Sequence, residues 1–185
     1  MNEVTPQTHP DWIWPRADSH IVLAAGAQGE LGSPDVLKTF VEPGGSFSPG
    51  FGSYGVSLWL WLEAERLLVA PELLPRPEIR DRLLGGMLPI VRSRWRAGEA
   101  EVDLRLATDS LGSAHQLIDT LAARITNRGQ QPLSAKVLLV VRSLGPAGGP
   151  VRDVAVDPDV HGLLVNGRLA VMGNQAPDDA GCCSL

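Results

Sequence analysis

The chain has 185 residues, a net charge of −5, 44% apolar and 20% charged residues. That length fits one domain able to bury about 70% of its unfolded surface, and the composition is that of a soluble globular protein. The acidic balance argues against nucleic acid as the main partner, since phosphate binding needs a clustered basic surface. No window approaches the roughly 20 apolar residues of a membrane helix.

Residues 1–18 are polar and proline-rich, with Trp12 and Trp14 as their anchors, and read as an arm. The first twenty residues hold Glu3, Asp11 and Asp18 where a signal peptide needs an apolar run, so the expected setting is cytoplasmic. A single domain is expected over 19–174, with 175–185 a tail or the start of a linker. Ile21 to Ala25 and Val36 to Glu42 read as short strands.

Glu42 to Leu62, EPGGSFSPGFGSYGVSLWLWL, is a glycine-rich loop that enters a strand with two different faces. Alternation points Val56, Leu58, Leu60 and Leu62 one way and Ser57, Trp59, Trp61 and Glu63 the other. Arg66 to Ala70 is the expected neighbour of this strand. Residues 71–89 read as a long irregular connection, with one or two helical turns between Pro77 and Leu84.

Ile90 to Thr108 reads as a hairpin around Ala97-Gly98. That turn sets Arg96, Arg94 and Arg92 against Glu99, Glu101 and Asp103 on one face, and Trp95, Ser93 and Val91 against Ala100, Val102 and Leu104 on the other. The charged ladder reads as a solvated face. Leu117 to Thr126 fits helix and strand alike, and its second half is taken as strand. Ala135 to Arg142 is β-rich. Val151 to Val156, Gly162 to Asn166 and Arg168 to Met172 complete the set, the last two joined by the hairpin dipeptide Asn166-Gly167. About nine or ten short strands with little helix define an all-β chain, folded as an antiparallel β-sandwich.

Candidate chemistry is sparse. Gly50, Gly52 and Gly55 have GxGxxG spacing but precede a strand instead of opening a helix, which removes the dinucleotide reading. No lysine lies between Lys38 and Lys136 to serve a kinase-type phosphate loop. His9, His20, His115 and His161 have no ligand spacing, so neither a metal nor another cofactor is implied. Glu42, Glu63 and Glu72 border the aromatic region and are expected to face solvent or cap turns. Tyr54, Trp59, Trp61 and Trp95 fill a core, contact another domain, or stack on an oligosaccharide. The adjacent Cys182 and Cys183 build no disulfide framework. The ending Cys182-Cys183-Ser184-Leu185 has the outline of a prenylation box, but its upstream acids argue instead for a chain cut from a longer protein.

Three stretches, SPGFGSYGVSLWLW (Ser48 to Trp61), LPIVRSRWRAGEAEVDLRLAT (Leu88 to Thr108) and ARITNRGQQPLSAKVLLVVR (Ala123 to Arg142), together resemble the N-terminal galactose-mutarotase-like β-supersandwich of bacterial glycoside hydrolases. In those enzymes the sandwich precedes an α/α toroid that carries the catalytic carboxylates. The resemblance spans roughly residues 40–172 and implies a noncatalytic domain whose partner is a toroid of the same parent protein. It carries over no catalytic residue. It implies that the Gly44 to Gly55 loop borders the substrate cleft. The alternative on the residues themselves is a free-standing carbohydrate-binding module using Trp59 and Trp61.

Overall fold

A computed structural model of the chain describes residues 21–25, 37–86, 88–111, 116–143 and 149–181. Within them the expected all-β class holds, as thirteen strands where nine or ten were read. Trp12, Trp14, His9, His20, His115, Cys182 and Cys183 lie outside the described residues. No helix among the described residues is long and apolar enough to cross a membrane. The chain divides into two compact units, 1–149 and 150–185.

In the first unit, β1 (Ile21–Ala25), β2 (Leu37–Val41), β3 (Phe47–Pro49) and β4 (Gly55–Leu62) form an antiparallel meander. β10 (Ala135–Arg142) pairs along the whole free edge of β4, and the short β5 (Leu67–Val69) pairs with its last turn of chain at Leu60 to Leu62. A second sheet runs β6 (Arg80–Leu84), β7 (Leu88–Ala97), β8 (Ala100–Leu111), β9 (Gln116–Asn127) in order. Aliphatic side chains from the two sheets meet in a common interior. Leu58, Leu60 and Leu62 of β4 pack with Trp95, Val102 and Leu104, and Leu23, Val41, Phe47 and Val56 pack with Val91 and Leu106. This is the antiparallel sandwich that the alternating pattern predicts.

Three local expectations are corrected. Arg80–Leu84 is a strand, not a helical turn; its alternate residues Asp81 and Leu83 lie opposite Ser93 and Val91 on the inner face of β7. Two short 3-10 turns, Pro71–Leu73 and Arg76–Glu78, lie between β5 and this strand. The β7–β8 hairpin turns at Gly98-Glu99, one residue beyond the expected dipeptide, so Ala97 lies opposite Ala100, Arg96 opposite Glu101 and Arg94 opposite Asp103. Gly98 takes φ +54, which glycine adopts without a Cβ penalty. The third is the ambiguous segment, which is strand throughout, from Gln116 to Asn127.

The hairpin shift moves each pair by two residues, so the faces keep their chemistry but the charges change partners. Arg92 now lies opposite Arg105, and it reaches Asp103 diagonally, with Nε donating to Oδ1 at 2.8 Å. On the outer face, one row across the sheet reads Arg80, Arg94, Asp103, Arg124, and the next reads Arg82, Arg92, Arg105, Ala122.

Two polar pegs link the sheets. Asp119 on β9 accepts from Thr39 Oγ1 of the facing sheet at 2.7 Å and from Thr108 Oγ1 at 2.5 Å. Asp81 accepts from Ser93 Oγ at 2.6 Å, from the Gly44 amide at 3.3 Å and from Arg76 Nη1 at 3.1 Å.

In the second unit, β11 (Val154–Asp157), β12 (Gly162–Val165) and β13 (Arg168–Met172) make a three-stranded antiparallel sheet. Asn166 and Gly167 have φ +52 and +73, the mirror-image turn that this dipeptide favours. The Asn166 side chain also holds the incoming segment: Oδ1 accepts from the Arg152 amide at 2.8 Å, and Nδ2 donates to the Pro150 carbonyl at 2.9 Å.

Burial pushes the Asp119 carboxyl above its ordinary range, with the two threonine hydroxyls opposing that shift. A raised acid binds its proton more tightly in the fold than in the unfolded chain. Its contribution is therefore complete below the unfolded value and is lost as pH rises through the folded one. Asp119→Asn keeps an acceptor for both threonines and never ionises. It is expected to melt above the parent protein at pH 7, with the gap closing below about pH 4. Thermal melts of the two proteins across this range test it; a parent Tm at or above the variant's at pH 7 contradicts it.

Candidate functional site

The outer face of β4 is where the sequence places its aromatic chemistry, and the structure builds a site around it. Ser57, Trp59 and Trp61 point away from the interior while Val56, Leu58, Leu60 and Leu62 are buried within it. Trp59 and Trp61 are therefore not core residues. Both are half-buried, with Leu138 and Lys136 of β10 directly opposite and Leu68 of β5 beside Trp61.

What holds this face is Glu72, on the first 3-10 turn. Its carboxylate is expected to face solvent or cap a turn, yet the side chain is only 3% exposed. Oε1 accepts from Ser57 Oγ at 2.5 Å and from Arg142 Nη2 at 2.8 Å, and Oε2 accepts from Trp59 Nε1 at 3.1 Å. Ser57 spends its one proton on the carboxylate, so the 2.8 Å contact with Ser46 Oγ is a bond donated by Ser46. Arg142, at the end of β10, brings the countercharge. A buried carboxylate needs both a cation and hydrogen bonds, and this one has three donors. The network holds the Trp59 indole N–H and ties the first 3-10 turn to outward side chains of β4 and β10. Glu42 is also buried rather than solvent-facing. Glu63 is exposed as expected, accepting from Ser134 Oγ and lying 3.8 Å from Lys136 Nζ.

The glycine loop divides in two. Glu42 to Ser48 is buried throughout, and Gly44 and Gly45 have φ +92 and +88. A Cβ on Gly45 would lie 2.8 Å from Leu104 Cδ1, and one on Gly44 2.5 Å from Pro71 Cβ. The first half is thus a plug in the sandwich, tied by the Gly44 amide to Asp81 and by the Gly44 carbonyl, which accepts from Trp95 Nε1 at 3.2 Å. Of the second half, Phe51 and Gly52 are exposed and Pro49, Gly50, Ser53 and Tyr54 half-buried, and Phe51 meets Phe40 edge-on at 6.3 Å between ring centroids.

The four aromatic residues singled out by sequence are not one site. Trp59 and Trp61 share the outer face. Trp95 is 2% exposed and belongs to the interior, so it offers no surface to a ligand. Tyr54 packs with the Leu23, Val41 and Phe47 group, and burial followed by the nearby Asp119 charge pushes its phenol above the usual range. Sequence reasoning missed Glu72, Arg142 and Ser46 as partners of this face. Alternation carried a signal for Arg142, which follows Leu138 and Val140 on the outward side of β10; Glu72 stood out only as an acid bordering the aromatic region, with nothing local to show its burial.

One edge of the sandwich is open. Val137 and Leu139 lie opposite Leu60 and Leu58 and so belong to the inward side of β10, yet they are 53% and 45% exposed. Ala123, inward on β9 opposite Leu104, is exposed as well. The facing sheet does not cover this strip. Among the described residues no group of three or more His, Cys, Asp or Glu side chains can hold a metal ion.

The fold and these surfaces define an all-β sandwich with an organised tryptophan face and an uncovered inner edge. Comparison with family models, with curated proteins and with solved structures finds no match to this chain.

Removing one partner of the Glu72–Arg142 pair takes a buried countercharge from the other. Glu72→Gln and Arg142→Met are each expected to lower unfolding free energy by about 3 kcal/mol, read as a lower urea midpoint at unchanged m-value. A loss below about 1 kcal/mol for either would place the pair in the class of solvent-screened surface bridges.

Proposed function

We propose that this chain is a noncatalytic β-sandwich domain of a larger bacterial carbohydrate-active protein, which packs on and shapes a helical catalytic domain. The observation that carries this reading is the open edge. Val137 and Leu139 are core-side residues left 53% and 45% exposed, and burying such side chains is worth roughly 1.5–3 kcal/mol each. A partner layer laid over Val137 and Leu139 of β10 would complete the interior there. The resemblance of Ser48–Trp61, Leu88–Thr108 and Ala123–Arg142 to the galactose-mutarotase-like supersandwich of glycoside hydrolases supplies the kind of partner, an α/α toroid of the same parent protein.

A second reading is favoured by the half-exposed Trp59 and Trp61, which share one face with locked orientation at Trp59. Such a pair suits a stacking platform in a free-standing carbohydrate-binding module.

Two measurements separate the readings. The purified chain is expected to show no glycoside hydrolysis or mutarotation above background; either activity would overturn the noncatalytic assignment. Val137→Asp with Leu139→Asp is expected to leave the sandwich folded and to weaken association with the helix-rich segment of the parent protein by at least about tenfold, or 1.4 kcal/mol. A parent without such a segment, or association indifferent to the substitutions, contradicts the packing role. Oligosaccharide binding abolished by Trp61→Ala in a folded protein would favour the module instead.

A further inference from the structure

The outer face of the second sheet carries a concentration of positive charge that the overall charge of −5 conceals. Arg82, Arg92 and Arg105 stand side by side on three adjacent strands. Arg80 and Arg94 are also direct neighbours, with Arg124 at the far end of their row. Among the described residues, Arg92 is the one of these six that forms an ion pair, to Asp103. Arg80, Arg82, Arg105 and Arg124 are exposed, and Arg94 is half-exposed.

Like charges directly opposite each other on neighbouring strands are destabilising. The register that the expected hairpin would have given sets every arginine of β7 against a carboxylate; the observed register does not. A two-residue shift of the turn would part Arg92 from Arg105 but leave the Arg80–Arg94 and Arg82–Arg92 juxtapositions, which the β6–β7 register sets. An anionic partner laid across the row would offset that repulsion.

We infer that this face binds an acidic polysaccharide, one bearing carboxylates on successive sugar rings. The row repeats at the inter-strand spacing of about 4.8 Å and runs straight across the sheet, which suits a regular, extended polyanion. Guanidinium groups match carboxylates by two parallel hydrogen bonds. Nucleic acid fits less well. No outward-facing residue of β6 to β9 is aromatic, so bases find nothing to stack on. A flat sheet face does not enter a duplex groove, and the net negative charge opposes a polymer of such charge density. The choice of a polysaccharide deepens the carbohydrate-associated reading and rests on it; the presence of a polyanion surface does not.

Affinity electrophoresis of the full chain in gels containing polygalacturonate, neutral dextran or duplex DNA tests the inference. Retardation is expected in polygalacturonate alone, weakening as salt is raised. The double variant Arg82→Gln/Arg105→Gln is expected to lose affinity about tenfold or more, with a Tm equal to or above that of the parent because repulsion is relieved. Arg66→Gln, on the exposed β4–β5 turn, serves as the control and is expected to bind as the parent does. No retardation by polygalacturonate, equal or stronger retardation by DNA, or equal loss in Arg66→Gln each overturns the proposal. Should the double variant fail to fold, Arg82→Lys/Arg105→Lys keeps the charge and loses the bidentate fork, and undiminished binding by it overturns the claim of guanidinium recognition. Failure here leaves the noncatalytic domain reading intact, since hydrolysis and the Val137/Leu139 variant decide that one.

Discussion

A single buried carboxylate organises the outer side of the first sheet. Glu72 sits beneath the surface and is held by Ser57, Trp59 and Arg142. Its position is set by chemistry from three places in the chain: the centre of β4, the end of β10, and the first turn after β5. Desolvating a charge costs several kcal/mol unless hydrogen bonds and a countercharge replace water. The clamp therefore decides which way Trp59 points, and Trp59 with Trp61 is what gives this face a possible surface function.

Between the sheets a different economy applies. The interior is mainly aliphatic, with Trp95 as its largest side chain, and hydrophobic burial supplies the bulk of the driving force. Polar groups enter only where they fix geometry. Asp119 bridges the sheets through Thr39 and Thr108, while Asp81 and Trp95 grip the two ends of the Gly44 peptide region. Glycine is required there because no side chain fits between Leu104 and Pro71 at positive φ. The sandwich is thus pinned by a buried turn and left uncovered at Val137, Leu139 and Ala123.

Much of this was legible in the sequence where one physical rule acted alone. Alternation located β4 and both of its faces, β-branched density located β10, and Asn166-Gly167 located the last hairpin. Where two solutions satisfied the same rule, sequence could not choose. The β7–β8 hairpin has two registers of equal burial parity, and the turn at Gly98 selects the one that breaks the charge ladder. Arg80–Leu84 reads as charged and irregular because Asp81, an inward residue, is polar for the sake of Ser93 and Gly44. The glycine run reads as a surface loop because nothing local reveals that its first half fills the interior. The burial of Glu72, an acid at the border of the aromatic region, was illegible for the same reason: its partners lie 13 to 70 residues away.

The central claim is that Glu72 and Arg142 act as one buried unit supporting the tryptophan face, and a double-mutant cycle measures this directly. Urea unfolding of the parent, Glu72→Gln, Arg142→Met and the double variant gives the coupling free energy. The structure predicts about 2 kcal/mol, with the double variant losing less than the sum of the singles. Additivity within about 0.5 kcal/mol would show the two residues to be independent and contradict the account.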